Sequence, residues 1–245
     1  MSSRLNYAAK VAMIRLLQRP SFATRIGVLQ GAGAPPPPTW SNGTVVLDPP
    51  LSTQRLPDET SAKQDAGLAG VVVVSILGEV TPRKNPALIL DALEQIMAAK
   101  PSEPWVLYLP GSVDPEVVQT LSSRAENVRI VWGSGHLDAA RYAAAFAASD
   151  IVAVVHSNEG SSGVLTEAAA YGKRAVAGGV GTVREQGAAI GAVVPTDDSV
   201  DALAAALLRA RTASVAREPA KPVAGVLLEE FFLGPAVASP VEPAR

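Results

Sequence analysis

Two carboxylates, Glu159 and Glu167, bracket a short segment rich in glycine and serine. The apolar run at residues 151–155 precedes this segment and is typical of a buried strand, whereas the alanines after Glu167 favour a helix. A turn between a strand and a helix presents free backbone N–H groups and the positive end of the helix dipole, which attract phosphate. Carboxylates beside it can accept hydrogen bonds from sugar hydroxyls. The pattern predicts a site for a sugar joined to a diphosphate; the alternative is a capped helix with Glu167 on a solvated face.

A second segment with charged side chains, residues 78–86, follows the strand pattern at residues 71–76. Arg83 and Lys84 are expected beyond the carboxyl edge of the sheet. Cations there can neutralise a diphosphate, and arginine can bind it through two parallel hydrogen bonds. A solvated turn leading into a helix that begins at Pro86 explains the same residues equally well.

A glycine cluster at residues 178–181 also follows a strand pattern and would let a ligand approach the backbone closely. Arg184 stands where the last glycine of a dinucleotide fingerprint belongs, and a plain tight turn explains the cluster equally well. His156, at a predicted strand end, is a candidate ligand contact, although a structural histidine is the simpler interpretation. With two histidines and no cysteine, the sequence predicts no metal site.

The composition excludes several classes of protein. The chain has 245 residues, of which 48% are hydrophobic, and a net charge of −2. It can therefore form a substantial core, and it has no basic field for a nucleic-acid partner. The absence of cysteine excludes disulfides and cysteine nucleophiles and fits a reducing compartment such as the cytoplasm. No apolar run approaches the ~20 residues that span a bilayer.

Strand and helix patterns alternate from residue 71 to residue 211, which predicts an α/β fold: a doubly wound, Rossmann-like parallel sheet with ligands beyond the carboxyl ends of its strands. Four segments are predicted along the chain. They are a basic helical extension with a proline spacer (1–40), a linker (41–70), the main domain (71–215), and a Pro-rich tail with a short helix at 227–233 (216–245).

The N-terminal segment has its own charge pattern, because residues 1–47 carry five cations and no acid. Three interpretations fit the amphipathic helix predicted within it. It is the end of a larger N-terminal domain, a transit peptide or peripheral membrane-surface helix, or a helix docked on the main domain.

Together and in this order, these segments resemble the C-terminal, donor-binding domain of GT-B-fold retaining glycosyltransferases of the group 1, family 4-like type. The resemblance covers residues 71–211, one half of a GT-B fold. It rests on four blocks, of which the last is the most specific: residues 78–85, 107–111, 142–150 and 159–167.

The resemblance implies transfer of a glycosyl unit from a nucleotide sugar to an acceptor, with retention at the anomeric carbon. Glu159 would bind hydroxyls of the donor sugar, and Lys84 would neutralise the leaving diphosphate; these are the implied catalytic residues. Glu167 would bind the ribose hydroxyls, and further donor contacts would come from Ser162, Gly163, Val164, Arg83 and Gly78. The nucleotide sugar is a substrate, and neither a cofactor nor a metal is implied.

Two departures from the family pattern matter. Glu79 stands where the family commonly has an arginine, so it must face away from the diphosphate or activity must fall, and Arg83 is expected to replace that arginine. Too few residues precede the donor domain to form an acceptor domain, which is expected to be absent, truncated or supplied by a partner chain. The acceptor is a glycan, a lipid or a small molecule. A non-catalytic nucleotide-sugar-binding module is the alternative, and the incomplete glycine fingerprint disfavours a dinucleotide-dependent oxidoreductase.

Overall fold

The computed structural model describes residues 55–133, 135–158 and 160–213, and the backbone of residues 27–31, 44–48 and 226–227. Glu159, the helix predicted near the N-terminus and most of the Pro-rich tail lie outside the described residues. The strands are β1 (Gly27–Gly31), β2 (Thr44–Asp48), β3 (Val72–Ser75), β4 (Trp105–Leu109), β5 (Arg129–Trp132), β6 (Ile151–His156), β7 (Arg174–Gly179) and β8 (Val226–Leu227). The helices are α1 (Glu59–Asp65), α2 (Pro86–Ala99), α3 (Pro115–Arg124), α4 (Ala139–Ala148), α5 (Gly163–Ala170), α6 (Thr182–Ala189) and α7 (Val200–Thr212).

The main domain is built on a five-stranded sheet in the order β5-β4-β3-β6-β7, and all its neighbouring strands are parallel. The doubly wound α/β fold predicted from the sequence is therefore confirmed. The chain passes outward from β3 to β5 and then returns to place β6 on the other side of β3. This reversal makes the carboxyl ends of β3 and β6 the topological switch point, where ligands of such sheets bind.

Helices cover both faces of this sheet, which is why its strands are continuous apolar runs. Along β6, Ile151, Ala153 and Val155 pack into a core formed with α2, α3 and α7. The alternate residues Val152 and Val154 pack on the opposite face, against α4, α5 and α6. All six residues of β6 are buried, so this strand holds its carboxyl end rigidly at the switch point.

The linker predicted at residues 41–70 contains two regular elements, β2 and α1. Helix α1 packs on the main domain. Lys63 anchors α1, because its Nζ donates to both carboxylate oxygens of Asp150 at 2.8 and 2.7 Å. Asp150 also accepts a hydrogen bond of 2.7 Å from the Val73 amide at the start of β3. The structured region around this sheet therefore begins before residue 71.

A second unit of the chain contains a small parallel sheet in the order β1-β2-β8. Its strands come from segments before and after the main domain. Leu227, predicted to begin a short helix, lies in β8 instead. Its backbone pairs with that of Leu47 in β2, and this long-range pairing is not visible in the local pattern.

Candidate functional site

A cavity of about 160 Å³ lies at the switch point, where the carboxyl ends of β3 and β6 meet. Four segments line it: the residues after β3, a 3-10 turn at Pro82–Lys84, the end of β6 and the start of α5. It brings together six of the residues singled out from the sequence, namely Arg83, Lys84, His156, Ser162, Gly163 and Val164.

Lys84 is held at this cavity by the segment that follows β3. Its side chain is buried, with 9% exposure, and Nζ donates a hydrogen bond of 2.6 Å to the carbonyl oxygen of Leu77. A Cβ atom on Gly78 would lie 3.4 Å from Nζ, so the glycine keeps the space beside the ammonium open. Burial and the nearby Arg83 lower the pKa of Lys84 to about 8, although the Glu79 carboxylate acts in the opposite direction. The ammonium is therefore protonated at neutral pH but poorly solvated.

The backbone and the side chain of Arg83 have separate roles at the cavity. Its carbonyl oxygen accepts hydrogen bonds from the Ser157 amide at 2.9 Å and from the Ser157 hydroxyl at 3.3 Å. These bonds tie the 3-10 turn to the loop that follows β6. The side chain is exposed at the cavity, where it can reach an anion.

The first turn of α5 presents two backbone amides to a ligand rather than three. The Ser162 amide donates to Oε1 of Gln186 at 2.8 Å, so it is already used within the protein. Leu165 and Thr166 donate to the Ser162 carbonyl, and the Ser162 hydroxyl does not cap the helix. Among the described residues, the amides of Gly163 and Val164 have no hydrogen-bond acceptor.

Gln186 fixes this turn, and the sequence analysis missed it. Its side chain is fully buried in α6, and Nε2 donates to the Ser162 carbonyl at 3.0 Å and to the Thr166 hydroxyl at 3.3 Å. A buried amide with three hydrogen bonds holds α5 and α6 in one relative position. The only signal in the sequence is a polar residue three positions after Val183 on a short helix.

Glu167 is completely buried, with 0% exposure, so the alternative of a solvated helix face is wrong. It faces Tyr142, whose pKa is raised by burial first and then by a hydrogen bond to Glu167 and by the charge of that carboxylate. Neither described cavity is lined by Glu167 itself.

Tyr142 lines a second, larger cavity of about 630 Å³ on the same edge of the sheet. Gly78 and Gly111 form part of its wall, and a Cβ atom on Gly111 would collide with the Gly78 carbonyl oxygen. The two backbones approach this closely only because Gly111 has no side chain. Glu79 and His136 also line the cavity. Glu79 therefore lies at the cavity wall.

His156 lines the smaller cavity at the last position of β6, with 5% exposure. Burial, followed by the charges of Arg83 and Lys84, lowers its pKa to about 4. The ring is therefore neutral at pH 7. Within the part of the chain that the structure describes, no hydrogen bond reaches its two nitrogens.

The glycine cluster after β7 serves packing. A Cβ atom on Gly179 would collide with the carbonyl oxygen of His156, and the Gly179 amide donates to Asp198 at 2.9 Å. Arg184 pairs with the same carboxylate at 3.4 Å and donates to the carbonyl oxygens of Pro195 and Thr196. This network explains both the glycine and the arginine without a ligand.

The described residues contain no cluster of three or more side chains suited to hold a metal ion. None of the described helices has the length and apolar character needed to cross a membrane.

The fold and the site define a doubly wound α/β protein with a pocket suited to an anion at its switch point. The family described as Glycosyl transferases group 1 matches residues 71–212, which is more than half of the chain. The chain therefore belongs to the group 1 glycosyltransferase family, and the resemblance inferred from the four sequence blocks is confirmed.

Individual relatives match over part of their length. The chain is 31% identical over 131 residues to D-inositol 3-phosphate glycosyltransferase of Segniliparus rotundus. The matched region covers 51% of this chain and 28% of that protein. Trehalose-6-phosphate synthase OtsA has a similar structure, with a TM-score of 0.50, 18% identity, and coverage of 67% of this chain and 41% of that one. HepE of Anabaena, solved in complex with UDP and glucose, has a TM-score of 0.47 at 22% identity over 63% of this chain and 42% of that one. The chain spans less than half the length of each of these proteins.

Proposed function

We propose that the main domain binds a nucleotide-sugar donor and transfers its glycosyl unit to an acceptor with retention at the anomeric carbon. The observation that carries the proposal is that Lys84, Gly163 and Val164 line one cavity at the switch point, where the amides of the last two have no acceptor among the described residues. Backbone amides at a helix N-terminus and a fixed cation are the donors that bind a diphosphate. Arg83 at the exposed side of the cavity adds a second cation.

The two cavities suggest how the donor lies. The diphosphate would bind between Lys84 and the start of α5, with the sugar in the smaller cavity and the nucleoside in the larger one. Glu159 would bind the sugar hydroxyls. Direct contact of Glu167 with the ribose requires Tyr142 to move, because the carboxylate is buried against that ring.

The reaction needs little covalent chemistry from the protein. As the bond between sugar and phosphate breaks, the leaving diphosphate gains negative charge. Lys84 and the N-terminus of α5 would stabilise that charge without a metal ion, and retention needs an acceptor held on the correct face of the sugar. The acceptor, a partner chain that binds it, a peripheral membrane contact and a cytoplasmic location are further parts of this proposal.

Isothermal titration calorimetry with UDP, GDP and ADP tests the donor site, and NAD serves as the control for a dinucleotide enzyme. We expect at least one nucleoside diphosphate to bind in the presence of EDTA, and NAD not to bind. Binding of NAD alone, or of no nucleotide, would refute the proposal.

A non-catalytic nucleotide-sugar-binding module is the second candidate. The observation in its favour is that Glu79 lines the larger cavity and that its charge acts on the pKa of Lys84. Hydrolysis of nucleotide-sugar donors separates the two candidates, because a catalytic site releases free sugar slowly even without an acceptor. Glu159→Ala should abolish that release while the nucleoside diphosphate still binds. No sugar release with any donor would favour the module.

A further inference from the structure

His156 ends the central strand β6 with an imidazole whose two nitrogens have no hydrogen-bond partner among the described residues. The side chain is 5% exposed and lines the smaller cavity together with Lys84 and Gly163. Buried polar side chains in native proteins almost always have a partner, which is protein, water or ligand, so a ring at a cavity wall that lacks a protein partner is available to a ligand that enters the cavity.

The surroundings of the His156 ring determine its protonation state and therefore which hydrogen bonds it can make. Burial, and then the positive charges of Arg83 and Lys84, lower the pKa of His156, so the imidazole is uncharged at pH 7. An uncharged imidazole has one N–H donor and one nitrogen acceptor. The Lys84 ammonium, the Arg83 guanidinium and the amides of Gly163 and Val164 at this cavity can only donate. Ser161 and Ser162 also line it, and their hydroxyls, like the imidazole, can both donate and accept.

The phosphate and sugar parts of a nucleotide sugar need different hydrogen-bonding partners in the protein. Phosphate oxygens accept hydrogen bonds, so they match the ammonium and the amides but would leave one imidazole nitrogen unpaired. A sugar hydroxyl both donates and accepts, so it matches either nitrogen of the ring. The cavity of about 160 Å³ corresponds to roughly five water molecules, which suits a group of the size of one sugar ring.

We propose that His156 is a specificity-determining residue that binds a hydroxyl of the transferred sugar, whereas Lys84 and the amides of Gly163 and Val164 bind the diphosphate. The proposal rests on the proposed function of the site. His156 would thereby select donors by their sugar while contributing little to the binding of the nucleoside diphosphate alone.

The experiment compares two ligands in three proteins of full length. Dissociation constants for UDP, GDP and ADP identify the nucleotide, and those for its glucose, galactose and mannose conjugates identify the preferred sugar. The same titrations are then run on His156→Ala and on His156→Gln, which keeps a donor and an acceptor. We expect His156→Ala to bind the nucleoside diphosphate within about twofold of wild type and the nucleotide sugar about 3- to 10-fold more weakly, as one neutral hydrogen bond predicts. His156→Gln should recover at least part of the loss.

Equal weakening of both ligands in His156→Ala would overturn the assignment, and so would no weakening of either. If His156→Ala does not fold, deoxy-sugar donors replace it: wild type should lose about 3- to 10-fold in affinity for one deoxy analogue, and His156→Gln should discriminate less. Equal affinity of wild type for all deoxy analogues would again overturn it. Failure of wild type to bind any nucleoside diphosphate would instead refute the proposed function.

Discussion

Replacing Lys84 with methionine should change stability and ligand binding in opposite directions. Its pKa falls from 10.5 to about 8 in the folded protein, mainly through burial. A shift of this size corresponds to about 3 kcal/mol by which folding disfavours the charged side chain at pH 7. The hydrogen bond to the Leu77 carbonyl returns about 1.5–3 kcal/mol, which is typical of a charged donor. Lys84→Met removes both contributions and should leave the protein equally stable or up to about 2 kcal/mol more stable.

Diphosphate binding should fall sharply in the same variant. A charge-assisted hydrogen bond is worth about 1.5–3 kcal/mol, so the dissociation constant of the nucleoside diphosphate should rise about 10- to 150-fold. Thermal unfolding and calorimetric titration measure the two effects. Lys63→Met is the matched control, because its ammonium pairs with Asp150 at the amino end of β3 and is expected to support stability alone.

The stability of the wild-type protein should depend on pH in the direction set by the lowered pKa of Lys84. Because the folded pKa of Lys84 lies below the unfolded value, the unfolded chain binds more protons between about pH 8 and 10.5. The contribution of Lys84 to stability therefore improves as pH rises through this window, and wild type should approach Lys84→Met. Nucleotide affinity of wild type should decline over the same window. A large loss of stability in Lys84→Met with unchanged nucleotide binding would show that the ammonium is structural and would refute this account.

Three further substitutions test other parts of the site and fold. Glu79→Gln should tighten nucleoside diphosphate binding about 2- to 5-fold in calorimetry by removing a like charge, and unchanged or weaker binding would contradict the proposed position of the diphosphate. Gln186→Leu should cost roughly 2 kcal/mol in denaturant unfolding, because it leaves the buried Ser162 amide without its acceptor and removes the hydrogen bonds to the Ser162 carbonyl and the Thr166 hydroxyl. An unchanged midpoint would show that the buried network is not needed. Glu94→Ala should cost about 1–3 kcal/mol at pH 7, because the carboxylate accepts hydrogen bonds from the amides of residues 126–128. Burial alone would raise the pKa of Glu94, but the hydrogen bonds outweigh it and hold the pKa below 4.5. The stability difference between wild type and Glu94→Ala should therefore vanish as pH falls below 4.5, and a difference that stays constant would contradict this.

The sequence predicted the parts of the fold that depend on local signals. The start of α2 at Pro86 and the capping of α4 by Asp138, which accepts the Arg141 amide at 2.8 Å, follow from residue type and spacing alone. The short run at residues 191–194 has the residue pattern of a strand, but it forms only a single bridge between Val193 and Val176, because tertiary pairing decides how far such a short run extends.

The site was predicted less completely, and the reason is similar. Positions on the carboxyl edge follow from the alternation of strands and helices, so Lys84 and Gly163 were found. Gln186 lies 24 residues from Ser162 along the chain, and its hydrogen bonds depend on how α6 packs against α5. The burial of Glu167 likewise depends on Tyr142, which comes from α4. Side chains that act through such contacts have no periodic signal.

Among the described helices that begin along the carboxyl edge, α3 and α4 are capped by a side chain, whereas α2, α5 and α6 are not. The first residues of α5 line the cavity together with Lys84. Asp114 and Asp138 accept amide hydrogen bonds at the starts of α3 and α4, so carboxylates already satisfy those helix termini. At α5 the capping position is Ser162, whose hydroxyl makes no capping bond. A carboxylate there would occupy the amides of the first turn and repel an anion. Gln186, an uncharged side chain, instead fixes the turn, and the amides of Gly163 and Val164 have no acceptor in the part of the chain that the structure describes. Both residues line the cavity with Lys84. This arrangement holds the helix in place without neutralising its positive end, as a preorganised anion site requires.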